Sequence, residues 1–262
     1  MTIRSKSVAR RPSSFGNPVF LQGALGIAGF FLAWQSLRWL GMMAVVPSPS
    51  DVILAVPSQV SQEGYWQSWI ASTLRVMGGF FTAAFFGVVL GISVGTSRKL
   101  LYATFPIFEI LRPIPPLAWL PIAILFWPTA ELTITFLTFI GAFFPIFLNV
   151  LSGINSIDSR YLNAARSLNA SPWSMFWKVL VPGALPALFT GLTIAIAITW
   201  EVVIAAEMAS GNHGLGYLTW NAYMTGSLPG IIVGMLSIGV AGLISSLLME
   251  RLGRWAMPWW RR

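Results

Sequence analysis

The chain has 262 residues, of which 56% are hydrophobic and 9% charged, with a net charge of +8. A soluble domain carries about 25% charged residues, so too little polar surface is available to face water, and lipid is the expected solvent. The lack of cysteine excludes disulfides and thiolate metal sites, and one histidine, His213, leaves no set for histidine-based zinc or triad chemistry. The excess of positive charge does not imply nucleic acid as a partner, because the basic residues sit between apolar runs and at the chain ends rather than in one patch.

A membrane-crossing helix needs roughly 20 mostly apolar residues. Six stretches qualify in chain order: about 19–38, 74–96, 103–127, 131–153, 183–206 and 228–249. The first follows Arg4, Lys6, Arg10 and Arg11, as a signal peptide would. No small-residue cleavage site follows it, so it is read as a retained helix. Between the first two spans, Val46-Pro47-Ser48-Pro49-Ser50-Asp51 locks the chain out of helix ahead of a short amphipathic segment.

The third stretch contains Arg112-Pro113-Ile114-Pro115-Pro116. These prolines remove backbone donors near mid-depth, which is tolerated only where protein or a watery route satisfies the freed carbonyls. Charges within spans cost at least about 2.5–3.5 kcal/mol unless paired or wet. Glu109 and Arg112, three apart, are expected to pair locally. Arg75 is expected to pair with Glu201 or Glu207 at similar depth, tying helices together or forming an outer gate. Arg75, Arg112, Pro115, Phe144, Trp200, Glu201 and Glu207 are therefore the candidate pathway or gate residues; structural ion pairing is the alternative for the charged ones.

Residues 155–182 are polar, carry Asp158, Arg160, Arg166 and Lys178, and are predicted to form a helix–turn–helix outside the bilayer. Ser171 suits an N-cap and Pro172 the first turn of the second helix. Residues 207–226 are glycine-rich and expected outside, with His213 a polar loop residue.

Lysine and arginine favour the cytoplasmic side. With the N-terminus inside, the cytoplasmic segments hold Arg4, Lys6, Arg10, Arg11, Arg98, Lys99, Arg160, Arg166, Lys178, Arg251, Arg254, Arg261 and Arg262, which is thirteen of the sixteen basic residues. Of the rest, Arg38 falls outside, and Arg75 and Arg112 fall at or within spans. The expected organisation is a cytoplasmic basic tail (1–18), one permease domain (19–255) with a loop at about 155–182, and a cytoplasmic tail (256–262), with both termini inside.

The stretch Asn163-Ala164-Ala165-Arg166 through Leu168-Asn169-Ala170-Ser171, followed by Leu185-Pro186, resembles the loop by which permeases of ATP-binding-cassette (ABC) importers dock their ATPase. That pattern has Glu-Ala-Ala, Gly six residues after the Glu and a later Leu-Pro. Asn163 replaces the Glu here and Asn169 the Gly; Asn tolerates the left-handed conformation. Pro47-Ser48-Pro49-Ser50-Asp51, Ser72-Thr73-Leu74-Arg75-Val76, Leu111-Arg112-Pro113-Ile114-Pro115-Pro116-Leu117-Ala118, Gly141-Ala142-Phe143-Phe144-Pro145-Ile146 and Gly214-Leu215-Gly216-Tyr217 resemble the nitrate, sulfonate, taurine and bicarbonate branch.

The resemblance implies an all-α, MetI-like permease fold with six transmembrane helices and a cytoplasmic coupling helix between helices 4 and 5. It also implies a homodimer in the bacterial inner membrane, two ABC ATPase subunits that bind ATP and magnesium, and a substrate-binding protein delivering a small anion. The sequence is consistent with that division of labour. It has no Gly-x-x-x-x-Gly-Lys-Ser/Thr loop, so this chain is expected to bind no nucleotide by a P-loop and no other cofactor. A secondary transporter or channel would need no docking helix, and a membrane enzyme would need a catalytic set.

Overall fold

The computed structural model describes residues 18–41 and 46–260. The predicted basic tail and Arg261–Arg262 lie outside these, apart from Pro18. Two units are distinguished, Met1–Pro57 and Ser58–Arg262, with the boundary at a proline inside a helix.

In the first unit, α1 (Pro18–Trp39) is apolar all round, and its side chains from Leu21 to Leu32 are exposed. A helix with no polar face is stable only in an apolar medium. The segment read as locked out of helix starts one instead. Ser48 caps α2 (Pro49–Val60) through a reciprocal capping box. The Ser48 hydroxyl accepts from the Asp51 amide at 3.2 Å, and the Asp51 carboxylate accepts from the Ser48 amide at 2.9 Å. Pro49 at the first helical position needs no amide partner.

The second unit is built on α3 (Tyr65–Thr96), α6 (Ala130–Asn155), α9 (Val181–Ser210) and α11 (Leu228–Ala256). Between α3 and α6 stand α4 (Arg98–Leu111), a 3-10 turn (Pro116–Trp119) and α5 (Leu120–Phe126). Between α6 and α9 stand α7 (Ser159–Ser167) and α8 (Pro172–Met175), and α8 runs into α9 through a π-helical turn at Phe176–Leu180. The hairpin partner of α11 is α10 (Leu215–Met224), a helix within the segment expected to be a glycine-rich loop.

Among the described residues, four helices are long and apolar enough to cross a membrane: α3, α6, the helix from Pro172 through Ser210, and α11. The pair α4 and Pro116–Phe126 makes a fifth if taken together, bent by 88°. Packing decides how that pair runs. On α3, Gly79, Ala83, Gly87, Gly91 and Gly95 recur every fourth residue. A Cβ on Gly87, Gly91 or Gly95 would stand 3.0, 2.8 or 3.1 Å from Ile146, Val150 or Ile154 of α6, and Gly79 abuts Thr138. The partner numbers rise together, so α3 and α6 are parallel. Successive parallel spans require the chain to return across the bilayer between them, and the bent pair therefore makes one crossing, broken where the prolines stand.

The α6–α9 contact runs the other way. Gly141 faces Ile198 and Val202, Asn149 faces Gly191, and Gly153 faces Ala187. Small residues at these crossings bring backbones close, which is how helices associate where lipid removes the hydrophobic driving force. Phe143 and Phe147 of α6 stack with centroids 5.7 Å apart, and Phe108 of α4 lies 4.5 Å from Phe147.

Helix boundaries depart from the apolar runs in one direction. The second predicted span begins at 74, whereas α3 begins at Tyr65, which is buried and hydrogen-bonded to Ser237 of α11 at 2.7 Å. Hydropathy does not register helical turns whose polar groups pair with a neighbour.

Candidate functional site

The N-terminal parts of α3 and α6 and the C-terminal end of α9 meet at one end of the second unit. Arg75 of α3 is 4% exposed there. Its Nε donates to Glu131 at 2.7 Å, and its Nη1 donates to Glu207 at 2.7 Å and to the His213 carbonyl at 2.7 Å. Nη2 closes a second contact with Glu131 and lies 3.3 Å from the His213 ring.

Glu207 is fully buried. It accepts from Ser72 at 2.8 Å and from the Gly216 amide at 2.9 Å, while the Ser72 hydroxyl accepts from the Leu215 amide at 2.8 Å. Gly214, with φ 127°, lies where any Cβ would collide with the Glu207 carboxylate. The Gly214-Leu215-Gly216 turn is thus a cradle that brings backbone amides onto a buried anion, an arrangement that offsets the cost of removing a carboxylate from water.

This geometry reassigns the charges. Arg75 pairs with Glu207 and with Glu131 of α6, whereas Glu201 is exposed and takes no part. Glu131 was missed because an acid in the first turn of a helix reads as a partner for the helix dipole. Two carboxylates and a carbonyl occupy the guanidinium donors, so Arg75 is satisfied within the fold.

The other candidates disperse. Pro115 is exposed at the α4–α5 break, with ψ 138°. Arg112 is exposed and borders a groove of about 590 Å³ with Tyr102, Leu148 and Asn155. The expected Glu109–Arg112 pair is not formed among the described residues, and both side chains are exposed. Phe144 is half-buried against Phe108. Trp200 is 4% exposed and donates to Ser245 of α11 at 3.0 Å, which joins α9 to α11.

The opposite end of the unit carries α7 and α8. Asp158 caps α7, accepting from the Arg160 amide at 2.8 Å. The helix closes in a Schellman arrangement, with the Ala170 amide bonded to the Ala165 carbonyl at 3.0 Å and Asn169 at φ 52°. Ser171 then caps α8, accepting from the Ser174 amide at 3.2 Å. Asn163 accepts from Arg166 at 3.2 Å. Asn163, Ala164, Arg166, Leu168, Asn169 and Ser171 are exposed, and Ala165 and Ala170 half-buried. Leu168 is 83% and Trp173 70% exposed, the latter touching the rings of Phe176 and Trp177, so the turn presents largely uncovered apolar side chains.

The family model described as binding-protein-dependent transport system inner membrane component matches residues 83–262. The chain belongs to that family. Among curated relatives, this permease is 36% identical over 245 residues to the nitrate import permease protein NrtB of Synechocystis sp., covering 90% of this chain and 89% of the relative. It is 38% identical over 231 residues to the bicarbonate transport system permease protein CmpB of the same organism, covering 84% and 82%. It is 30% identical over 240 residues to the taurine transport system permease protein TauC of Escherichia coli, covering 89% and 87%. A chain from the inward-facing MetNI methionine ABC transporter superposes with a TM-score of 0.60 at 21% identity, covering 74% of this permease and 98% of that chain, a likeness of fold. The permease is therefore an all-helical, multi-pass inner-membrane transport component of MetI-like fold.

Proposed function

We propose that the permease is the membrane subunit of an ATP-driven importer for a small anion, working as a homodimer with two ABC ATPase subunits and a substrate-binding protein. In this reading α1 is a sixth span, both termini are cytoplasmic, and residues 19–255 form one transport domain. ATP and magnesium stay on the ATPases, and this chain holds no cofactor.

The observation that carries the reading is the exposed α7–α8 turn. It projects from the end of the unit that the lysine and arginine distribution assigns to the cytoplasm, and its apolar groups, Leu168 and Trp173, stay 83% and 70% exposed even though the Trp173 ring meets Phe176 and Trp177. Such a patch marks an interaction site. Asn163 through Ser171 are the coupling residues, with Ala164 and Ala165 allowing close approach of the ATPase. Arg112, Pro115, Phe144 and Glu201 are assigned to the translocation route. Arg75 and Glu207 brace its outer end, and Trp200 ties α9 to α11 nearer mid-depth.

ATP binding closes the ATPases, which push on the α7–α8 turns and open the route outward. A ligand shifts such an equilibrium only by its differential affinity for the two states, and the ATP-bound partners supply that difference. The test is reconstitution in proteoliposomes. ATP-dependent uptake with the ATPase co-purifying is expected, and both should be lost in Ala164→Glu. Uptake without any ATPase would overturn the reading.

A further inference from the structure

Near its C-terminal end α11 carries Glu250, Arg251 and Arg254, all exposed. Glu250 lies about 33 Å along the helix axis from Leu228, close to the roughly 30 Å apolar thickness of a bilayer. This turn therefore stands where hydrocarbon gives way to headgroups. The exposed rings of Trp255 and Trp259 just beyond it suit that level.

A groove of about 490 Å³ runs between α9 and α11 here, with Pro186, Thr190 and Ile194 on one wall and Met249, Glu250 and Arg254 on the other. The two helices are antiparallel, since Gly253 meets Phe189 and Ser245 meets Trp200. Ile194 and Met249 consequently lie at the deeper end of the groove, and Pro186 and Arg254 at its water side. The Thr190 hydroxyl donates to the Pro186 carbonyl of its own helix at 2.9 Å, so the α9 wall is closed to polar ligands. A groove charged at the mouth and apolar inward has the polarity of a phospholipid.

The charges at the mouth select the headgroup. Glu250 and Arg254 stand one turn apart, in the order that favours pairing along a helix, yet no ion pair joins them among the described residues. They are the charged residues of the lining. Arg251 is rotated about 100° from Glu250 and stands outside it. The complementary ligand brings one negative and one positive group, about one turn apart. An ethanolamine headgroup does so, with a phosphate for the Arg254 guanidinium and, two carbons away, a primary ammonium whose three donors suit the Glu250 carboxylate. A choline headgroup has the same charges but no N–H to donate. A glycerol headgroup sets an unrelieved negative charge beside Glu250.

We propose that the groove between α9 and α11 is a binding site for phosphatidylethanolamine, with Arg254 holding the phosphate, Glu250 the ammonium, and Ile194 and Met249 flanking an acyl chain. The inference goes beyond the transport reading and needs only that α11 crosses the inner membrane. In the orientation proposed above, the lipid belongs to the cytoplasmic leaflet.

The complete transporter is exchanged into micelles holding equal amounts of ethanolamine, choline and glycerol phospholipids with identical acyl chains. The lipids retained per permease are counted by native mass spectrometry. Ethanolamine lipid is expected to exceed each of the others about fivefold. Glu250→Gln should cut its excess over choline lipid to less than about twofold, and Arg254→Gln should lower the total retained whatever the headgroup. Thr190→Trp, which fills the groove and leaves both charges in place, should lower the total as well, at a melting temperature close to that of the parent. Equal retention of the three lipids, a preference that survives Glu250→Gln, or retention indifferent to Thr190→Trp would overturn the proposal. So would a groove covered by the second permease copy, seen as no lipid retained by the parent and dissociation of the dimer in Thr190→Trp. Uptake without any ATPase would instead sink the importer reading and leave the lipid counts standing.

Discussion

Arg75 divides its donors between two carboxylates of very different exposure, and the two should respond differently to removal. Glu207 is fully buried, whereas the Glu131 side chain is 54% exposed. Glu207→Ala leaves Ser72, the Gly216 amide and part of Arg75 without a buried partner, and should destabilise the permease by about 3–5 kcal/mol. Glu131→Ala loses a solvent-screened contact and should cost less than about 1 kcal/mol. Thermal unfolding in detergent separates the two; equal losses would mean the burial is misassigned. Asp51 makes a residue-scale prediction with a pH sign. Hydrogen bonds from the Ser48 side chain and then its backbone hold its carboxyl below the usual carboxylate range. A depressed folded value means that the contribution is complete above the unfolded value and is lost as pH falls through the lowered one. Amide exchange in the first turn of α2 should therefore stay slow on acidification past the ordinary carboxylate range and quicken only below it; Asp51→Asn should quicken it already at neutral pH. The sequence showed that an arginine at this depth needs an acid, but not which one. Glu201 and Glu207 are six residues apart, which on a helix is a rotation of about 240°. A helix apolar on all sides gives no hydropathic clue to which residue faces inward.

At the scale of elements, the four-residue glycine ladder of α3 sets how closely α6 lies. Gly91→Ala would set a Cβ 2.8 Å from Val150 and should cost about 1–3 kcal/mol through overpacking. Gly239→Ala on α11, where nothing lies within 4 Å, should instead be neutral or stabilise by up to about 1 kcal/mol through helix propensity. Melting temperatures of the two variants check the contrast. The turn after α7 has its own test: Asn169→Gly should preserve it, while Asn169→Val at φ 52° should cost roughly 1–2 kcal/mol and reduce ATP-driven uptake and ATPase co-purification. That turn was legible because its signals are local: a helix stop tolerant of left-handed backbone, then a Ser-Pro start. By contrast, α10 was hidden. It is short, its first residues are glycine-rich, and it owes its helical form to Gly216 fitting against Ile204 and Ala222 lying beside Gly230. Such long-range fits leave no periodic mark in the sequence.

For the molecule as a whole, the parallel run of α3 and α6 requires a crossing between them, and the proposed reading takes their direction from the positive-inside bias. A thiol at Leu168 should be modified from the cytoplasmic side and shielded when the ATPase is bound; modification from the outside would invert the assigned topology. Bracing along the second unit is also uneven. At one end, a guanidinium moors three helices and a loop through charge-assisted bonds. At the other, beside the π-helical turn of Phe176–Leu180, lies a small, partly open apolar pocket of about 40 Å³ lined by Val88, Val150, Leu180 and Ala184. Side chains that border empty space forfeit dispersion contacts on that side, and π-helical turns are often found at functional sites in helices. The second unit is thus cross-linked by charge where Arg75 stands and left with unfilled space where α8 enters α9, so the two ends of one bundle are held by different means.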